Sequence, residues 1–411
     1  MHVAVIGAGL VGVNTAHALL DAQHRVTLID AEGPAAGASR GNAGLIAYVD
    51  ILPLASPKVW RNLPRWALDP LGPLAIRPSY LPRLIPWLAR FVAAGRPGAL
   101  ARSTEAIIAL QATALPAWQR RLHALGLADR HLRPRGFLSV WSNAAELAAA
   151  AALLRRQNAL GIGNELLDAD GVRALEPAIT GPIGGGAFYE GGVSVSDPLQ
   201  LTRDLAEAAQ QRQARLVIAR ARRIVPNESG ATVECADGAS IGADIVVLAG
   251  GAWSRSLAES LGDAIPLDTE RGYNLTLPPG RLGLSRPVVF EGQGFVTNAL
   301  DIGDRIGGAV EFGGLDAAPN WARVDAIVQR LRRFVPSFDA SGGTRWMGHR
   351  PSLPDSIPVI GRATKAPRVI YAFGHGHYGL TQSATTGELV AALVDGRTPA
   401  IDLAPYRPDR F

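Results

Sequence analysis

The apolar positions of the first thirty residues change period twice. Val3-Ala4-Val5-Ile6 is an unbroken apolar run, the form of a strand buried on both faces of a parallel sheet. Residues 13–22, dominated by Ala and Leu, have helical character. Arg25-Val26-Thr27-Leu28-Ile29 is a second strand, ending at Asp30. Farther on, residues 103–125 and 144–160 predict Ala-, Leu- and Arg-rich helices, and 137–141 and 184–189 predict strands. Asp197 as N-cap and Pro198 at the first helical position open a helix to about Gln211. Strands are expected at 215–218, 222–226, 232–235 and 245–248. Alternating runs across 265–315, such as Tyr273-Asn274-Leu275-Thr276-Leu277, fit an antiparallel sheet. An amphipathic helix over 321–334, a strand over 369–373 and a helix over 380–394 follow. Residues from about 46 to 102 are rich in Pro and Trp and predict short helices broken at prolines, around 60–66 and 80–91. No tandem repeat is visible.

The chain has 411 residues, beyond the size at which one core keeps growing, so two connected domains are expected. With 47% apolar and 19% charged residues it has ordinary globular composition. The +5 net charge is carried almost entirely by Arg, which codon usage in a GC-rich genome explains better than a nucleic-acid partner. Cys235 is the single cysteine, so no internal disulfide forms; it lies in an alternating run that reads as a buried structural thiol. The eight His show no metal-ligand spacing, and no metal is expected. The apolar N-terminus carries glycines at fixed offsets and no basic flank, so it is not a targeting signal. No apolar run is long enough to span a bilayer. A cytoplasmic protein is expected. The aromatic and Arg-rich stretches at 60–66 and 80–91 leave room for peripheral contact at the inner face of a membrane, or for a lid over a substrate.

Gly7-Ala8-Gly9-Leu10-Val11-Gly12 follows the first strand directly, giving strand, GxGxxG, helix, strand and acid in thirty residues. Gly7 makes the turn, Gly9 admits a pyrophosphate to the backbone, and Gly12 lets helix and strand approach. The helix N-terminus receives the phosphates, and Asp30 is placed for ribose hydroxyls. This predicts a dinucleotide but does not separate FAD from NAD. Gly37-Ala38-Ser39-Arg40-Gly41-Asn42-Ala43-Gly44-Leu45 then offers small residues whose backbone N–H groups can lie against a flat ring system. Ile245-Val246-Val247-Leu248-Ala249-Gly250-Gly251 is a buried strand ending in a Gly pair, where the dinucleotide fold is resumed after a long insertion. Another Gly-rich turn, Gly374-His375-Gly376-His377-Tyr378-Gly379, enters the last long helix.

Together these segments resemble the D-amino acid dehydrogenase family, within the wider group of D-amino acid, glycine and sarcosine oxidases. The resemblance covers essentially the whole chain. It rests on the GxGxxG turn, on Ala38-Ser39-Arg40-Gly41-Asn42-Ala43-Gly44, and on Val247-Leu248-Ala249-Gly250-Gly251-Ala252-Trp253-Ser254. Arg271-Gly272-Tyr273, Gly348-His349-Arg350-Pro351-Ser352-Leu353-Pro354-Asp355-Ser356 and residues 374–382 complete it. It implies an α/β fold: a Rossmann-like FAD-binding domain from residues 1–48, 187–262 and 342–411, and an α+β substrate-binding domain with a large antiparallel sheet from 49–186 and 263–341. It implies non-covalent FAD, because the cysteine that anchors the flavin in some relatives lies near the C-terminus and Cys235 does not. FAD contacts are expected from Gly7, Gly9, Leu10, Val11, Gly12, Asp30, Ala31, Ser39, Asn42, Ala43, Gly44, Leu45, Arg222, Ala249, Gly250, Trp253 and Arg350. Gly376, His377, Tyr378, Gly379, Leu380 and Thr381 complete that set.

Arg350 matches the family arginine that holds the substrate carboxylate, a role suited to a bidentate guanidinium. Tyr273 matches a pocket-lining position, and His377 and Tyr48 are further candidates. The implied reaction is hydride transfer from Cα of a D-amino or D-imino acid, giving an imine that hydrolyses to a 2-oxo acid where it is acyclic. Simple D-amino acids, proline-like substrates such as cis-4-hydroxy-D-proline, and glycine or sarcosine remain open, as does quinone or oxygen as acceptor. An NAD-linked dehydrogenase and a non-catalytic FAD-binding subunit are the rival readings.

Overall fold

The computed structural model describes residues 1–55 and 71–411. Its first sheet has six strands in the order Val359–Arg362, Val369–Phe373, Ile245–Leu248, His2–Ile6, Arg25–Asp30, Arg215–Ile218. All neighbours are parallel except the antiparallel edge strand Val359–Arg362. Successive side chains of a strand point to opposite faces, and both faces here are covered. Val3 and Val5 pack with the helices Leu10–Asp21, Pro97–Ala124, Pro198–Gln211 and Gly379–Asp395. Ala4 and Ile6 pack toward the antiparallel strands Ala221–Pro226 and Ala231–Cys235 and the short helix Ser254–Ser260. That is why residues 3–6 are all apolar rather than alternating.

Close backbone approaches hold this layer together. A side chain at Gly12 would collide with the Gly7 carbonyl, and one at Gly7 (φ +108°) with the Ala249 carbonyl. At Gly387 a side chain would meet the backbone of Asn14, so the first and last helices pack nearly in contact. Asn14 spans the same interface, donating to Ser383 Oγ at 3.2 Å.

The second sheet runs Thr344–Ser352, Asp268–Leu277, Gly303–Phe312, Phe295–Leu300, Val288–Phe290, Phe137–Trp141, Gly185–Tyr189, Glu165–Leu167, with Leu74–Ile76 beside Gly303–Phe312. Pairing is antiparallel except at Val288–Phe290 with Phe137–Trp141 and at Leu74–Ile76 with Gly303–Phe312. Leu275, Leu277 and Ile306 pack on Val324, Ile327 and Leu331 of the helix Ala322–Leu331.

Four expectations need correcting. The strand Gly185–Tyr189 straddles the expected boundary at 187 and pairs wholly within the second sheet. Thr344–Ser352 does the same beyond 342; it pairs along Asp268–Leu277, and its sheet pattern is hidden in the sequence by Gly348, His349 and Arg350. Proline does not break the 81–94 segment: Leu81–Ala94 is one helix through Pro86. Pro86 and Pro82 are exposed, so water can take the carbonyl that Pro86 leaves free, while Leu84, Trp87 and Phe91 anchor the buried side. The helix expected from 103 starts at Pro97 and runs to Ala124 with Pro116 inside it. The expected helical stretch at 60–66 lies outside the described residues.

Candidate active site

A cleft of about 1940 Å³ is lined by the C-terminal ends of the parallel strands and by one face of the second sheet. Most of the expected residues meet there: Gly7, Gly9, Leu10, Val11, Asp30, Ala31, Ser39, Asn42, Ala43, Leu45, Arg222, Ala249, Gly250, Trp253, Tyr273, Arg350, Gly376, His377, Tyr378, Gly379 and Leu380. Gly12, Gly44, Tyr48 and Thr381 do not line it. Gly12 acts through helix packing. Tyr48 is half-buried against two apolar clusters. Thr381 is buried and accepts the Ala47 N–H at 2.9 Å, fixing the loop rather than facing the cleft.

At the first helix the N–H groups of the opening turn have no acceptor inside the helix. Ser39 Oγ accepts the Leu10 N–H at 2.9 Å, which leaves its own hydroxyl proton for an anion at that spot. Asp30 is more occupied than expected. One oxygen accepts from the Ala8 N–H at 2.7 Å and the other from Glu32 and Gly33 at 3.0 and 2.9 Å. A carboxylate has roughly four lone-pair sites, so about one is left for a ribose hydroxyl. The strand register slips between Ala221 and Arg223, turning Arg222 out at the same end. Cys235 is buried and lies outside the lining.

The loop after Asp30 is held from the second sheet, by residues the sequence reading missed. Asn274 donates to the Gly41 carbonyl (2.7 Å), Arg305 to that of Asn42 (2.7 Å) and Asn298 to that of Ala43 (2.8 Å). All three donors are buried. Burial pulls the Arg305 guanidinium down to about 10, with Asp197 opposing and Arg40 adding to the shift. Inside the loop, Asn42 donates to the Ser39 carbonyl and accepts the Gly44 N–H. The available signal was polar residues at alternate positions of strands expected to be buried.

The other end is organised by Arg350. It stands directly across from Glu270 in the antiparallel pair of Thr344–Ser352 with Asp268–Leu277. Gly272 shares the face of Glu270, and a Cβ there would strike the guanidinium, so Arg350 lies flat over bare backbone. One nitrogen donates to the Ala309 carbonyl at 2.9 Å; the rest of the fork has no partner among the described residues. Burial pulls the guanidinium below its usual range, and the Glu270 charge opposes this. Glu270 is itself buried and bonded to His377 Nε2 at 2.6 Å and to Ser352 Oγ at 2.5 Å. Burial works against its charge, but His377, Ser352 and Arg350 outweigh that and hold its carboxyl below the usual carboxylate range. His377 thus faces the cleft with one ring nitrogen already engaged.

Tyr273 lines the cleft, but its hydroxyl donates to Glu311 and accepts from the Asn320 N–H. Glu311 also receives Arg271 at 3.0 Å and Arg77 at 3.1 Å. Tyr273 is therefore part of a buried ionic network under the pocket floor, with only its ring to offer a ligand.

This donor set fits FAD: a bare helix N-terminus for the pyrophosphate, an acid beyond the second strand, and a small-residue loop facing the N-terminus of Gly379–Asp395. The Leu380 carbonyl in that last helix accepts the Trp118 indole N–H at 2.8 Å, which fixes the helix end.

Comparison with known proteins agrees with this geometry. The chain is 36% identical to a D-amino-acid oxidase of Bradyrhizobium diazoefficiens over 416 residues, covering 100% of this chain and 99% of that protein. It is 33% identical to D-amino acid dehydrogenase 2 of Ralstonia nicotianae, covering 99% of both. Glycine oxidase from Geobacillus kaustophilus shares the fold, with a TM-score of 0.76 at 22% identity over 100% of this chain and 98% of that one. Residues 2–393 match the DAO family, described as FAD dependent oxidoreductase. The chain belongs to the DAO family of FAD-dependent oxidoreductases.

Proposed function

We propose that this enzyme oxidises the Cα–N bond of D-amino acids or cyclic D-imino acids, with Arg350 as the carboxylate anchor. One observation carries the reading: the open fork of Arg350, seated on Gly272 and held opposite Glu270, faces a cleft whose far wall is the dinucleotide cradle. When bound, FAD supplies the two-electron acceptor for the hydride leaving Cα. The protein binds and orients. Arg350 takes the carboxylate in a planar fork. The N-terminus of Gly379–Asp395 directs its dipole toward the cleft and favours negative charge there. His377, tied to Glu270, lies beside the anchor. The product imine hydrolyses in water to a 2-oxo acid, or persists when it is part of a ring.

In this reading residues 1–48, 187–262 and 342–411 form the cofactor side, with residues 187–189 and Thr344–Ser352 given over to the substrate side formed by 49–186 and 263–341. The D configuration is supported by the names of the relatives. The acceptor for reoxidation is a quinone or oxygen. No helix among the described residues is long and apolar enough to cross a membrane. The helix Leu81–Ala94 exposes Leu81, Ile85 and Val92 beside Arg83 and Arg90, which supports peripheral contact with an anionic bilayer. Flotation with anionic and neutral vesicles tests that contact, and equal recovery without vesicles removes it.

The function is tested by anaerobic bleaching of the flavin with D-, L- and N-alkyl amino acids, followed by reoxidation with oxygen or a quinone. Arg350→Ala is expected to raise KM on the order of 10²-fold while FAD is retained. Unchanged kinetics in that variant reject the anchor, and no bleaching by any amino acid rejects the function.

A further inference from the structure

An amino acid brings two charges into the cleft, and the Arg350 fork accounts for one. The other needs an acceptor for a cationic nitrogen. Asp50 lines the same cleft, on the continuation of the loop that begins at Ser39. Its backbone is fixed: its N–H donates to the Ala47 carbonyl at 3.2 Å, and Gln111 Nε2 donates to the carbonyls of Ala47 and Asp50 at 3.1 and 3.0 Å. Gln111 is itself buried. The Asp50 carboxylate, by contrast, has no hydrogen bond or ion pair among the described residues. A rigidly carried carboxylate left without a partner contrasts with Glu270 and Glu311, two acids near the pocket floor that are multiply bonded.

Resting on the function proposed above, we propose that Asp50 is a further catalytic residue: it binds the substrate α-ammonium opposite Arg350 and takes its proton. The step balances. One N–H bond of the ammonium breaks, an O–H bond forms on the Asp50 carboxylate, and the freed nitrogen lone pair makes the C=N bond as the Cα–H pair leaves to the enzyme's oxidant. The product is an iminium carboxylate, which water converts to the 2-oxo acid and ammonium where it is acyclic.

The surroundings suit a base that works near neutral pH. The Asp50 side chain is accessible from the open cleft, yet the protein packed around it and the nearby Glu291 charge push its carboxyl up to about 7. Glu291 is held by the Ser139 hydroxyl at 3.1 Å. Burial holds the phenols of Tyr378, at the turn into Gly379–Asp395, and Tyr189, on Gly185–Tyr189, above their ordinary range; the Asp50 charge adds to both, with Glu270 at Tyr378 and Glu291 more strongly at Tyr189. Among the described residues no Lys or Arg acts on Asp50, so an incoming ammonium meets a negative charge that none of them compensates.

The test uses the FAD-loaded full chain. Asp50→Asn keeps the side-chain volume and disturbs no side-chain hydrogen bond among the described residues. With neutral D-amino acids, kcat/KM at pH 7 is expected to fall on the order of 10²-fold. The acid limb of its pH profile, near 7 in the parent, should move up toward the substrate's own ammonium ionisation. Asp50→Glu should restore part of the rate and the lower limb. Flavin absorbance titrations should show weaker binding of amine-bearing carboxylates to Asp50→Asn, and unchanged binding of nitrogen-free carboxylates. An unshifted pH profile overturns the proposal. So does a loss confined to D-amino acids with basic side chains, which would assign Asp50 to side-chain recognition. Failure of the parent enzyme to be reduced by any amino acid would instead strike the proposed function.

Discussion

Gly272 is where one missing methyl group decides the pocket. An arginine side chain crossing an antiparallel pair meets the side chain of its diagonal neighbour. Here that neighbour is glycine, so the Arg350 guanidinium lies against backbone with Glu270 beside it. Gly272→Ala should displace the guanidinium. The expected result is a KM increase of roughly tenfold or more, a stability loss of about 1–3 kcal/mol, and unchanged FAD content. Steady-state kinetics and thermal melts check it; a normal KM would mean Arg350 is not positioned this way. Glu270→Gln probes the same pair from the other side. It removes the charge that His377 and Arg350 share, and a buried partner left unpaired costs several kcal/mol. A larger penalty at pH 7 than at pH 4 distinguishes lost charge from lost packing. Arg350 was legible in the sequence because its Gly-His-Arg-Pro setting is distinctive. Glu270 was not, because a lone acid in an alternating strand looks like a solvent-facing position until the partner strand is known.

Among the elements, the loop from Gly37 to Leu45 shows most clearly what pattern reading reaches and where it stops. Its small residues predict a close approach to a flat ligand. The clamp that shapes it comes from three strand residues more than two hundred positions away, and sequence spacing carries no information about such contacts. Asn298→Ala removes one buried side-chain bond to the loop, worth about 0.5–1.5 kcal/mol. If the loop shapes the FAD site, FAD affinity should fall severalfold, read by equilibrium release of the flavin, while KM at saturating FAD stays within about twofold. Retained affinity would mean the loop holds its form without the clamp. The parallel strands were readable for the converse reason. Val3-Ala4-Val5-Ile6 is buried on both faces, and an unbroken apolar run signals that burial whichever distant segments cover it. Leu81–Ala94 was misread because proline propensity was weighed without its face: Pro86 points to solvent, and Trp87 stacks on Phe91 at 5.1 Å beneath it.

The whole molecule carries a pH signature set by buried histidines. Burial drives His17 down to about 4; its bond to the Leu205 carbonyl opposes this, and Arg121 and Arg212 add to it. Burial alone drives His375, bonded to Thr386, down to about 3. Both rings are neutral in the folded protein near pH 5, while in the unfolded chain they take up protons below about 6.5. The unfolded state therefore binds more protons in that window, and stability rises with pH up to about 6.5. At about 1.4 kcal/mol per unit, each ring withdraws roughly 2 kcal/mol by pH 5. Glu270, whose carboxyl is held low, has the same sign farther down: its contribution is present above about 4.5 and is lost as pH falls through its folded value. Asp50 opposes them. Its raised carboxyl keeps a proton in the folded state that the unfolded state releases, so its effect lowers stability as pH climbs from about 4 to 7. His17 sits in the helical layer and His375 at the turn into the last helix, where it also lines the cleft. His17→Gln keeps a donor for the Leu205 carbonyl, and His375→Asn keeps a polar partner for Thr386. Melts of the FAD-loaded protein should show each variant gaining on the parent between pH 7 and pH 5. Combined with Asp50→Asn, the gain should persist, because the acid and the histidines titrate in opposite directions at separate sites. Equal offsets at both pH values would place the source of acid lability elsewhere.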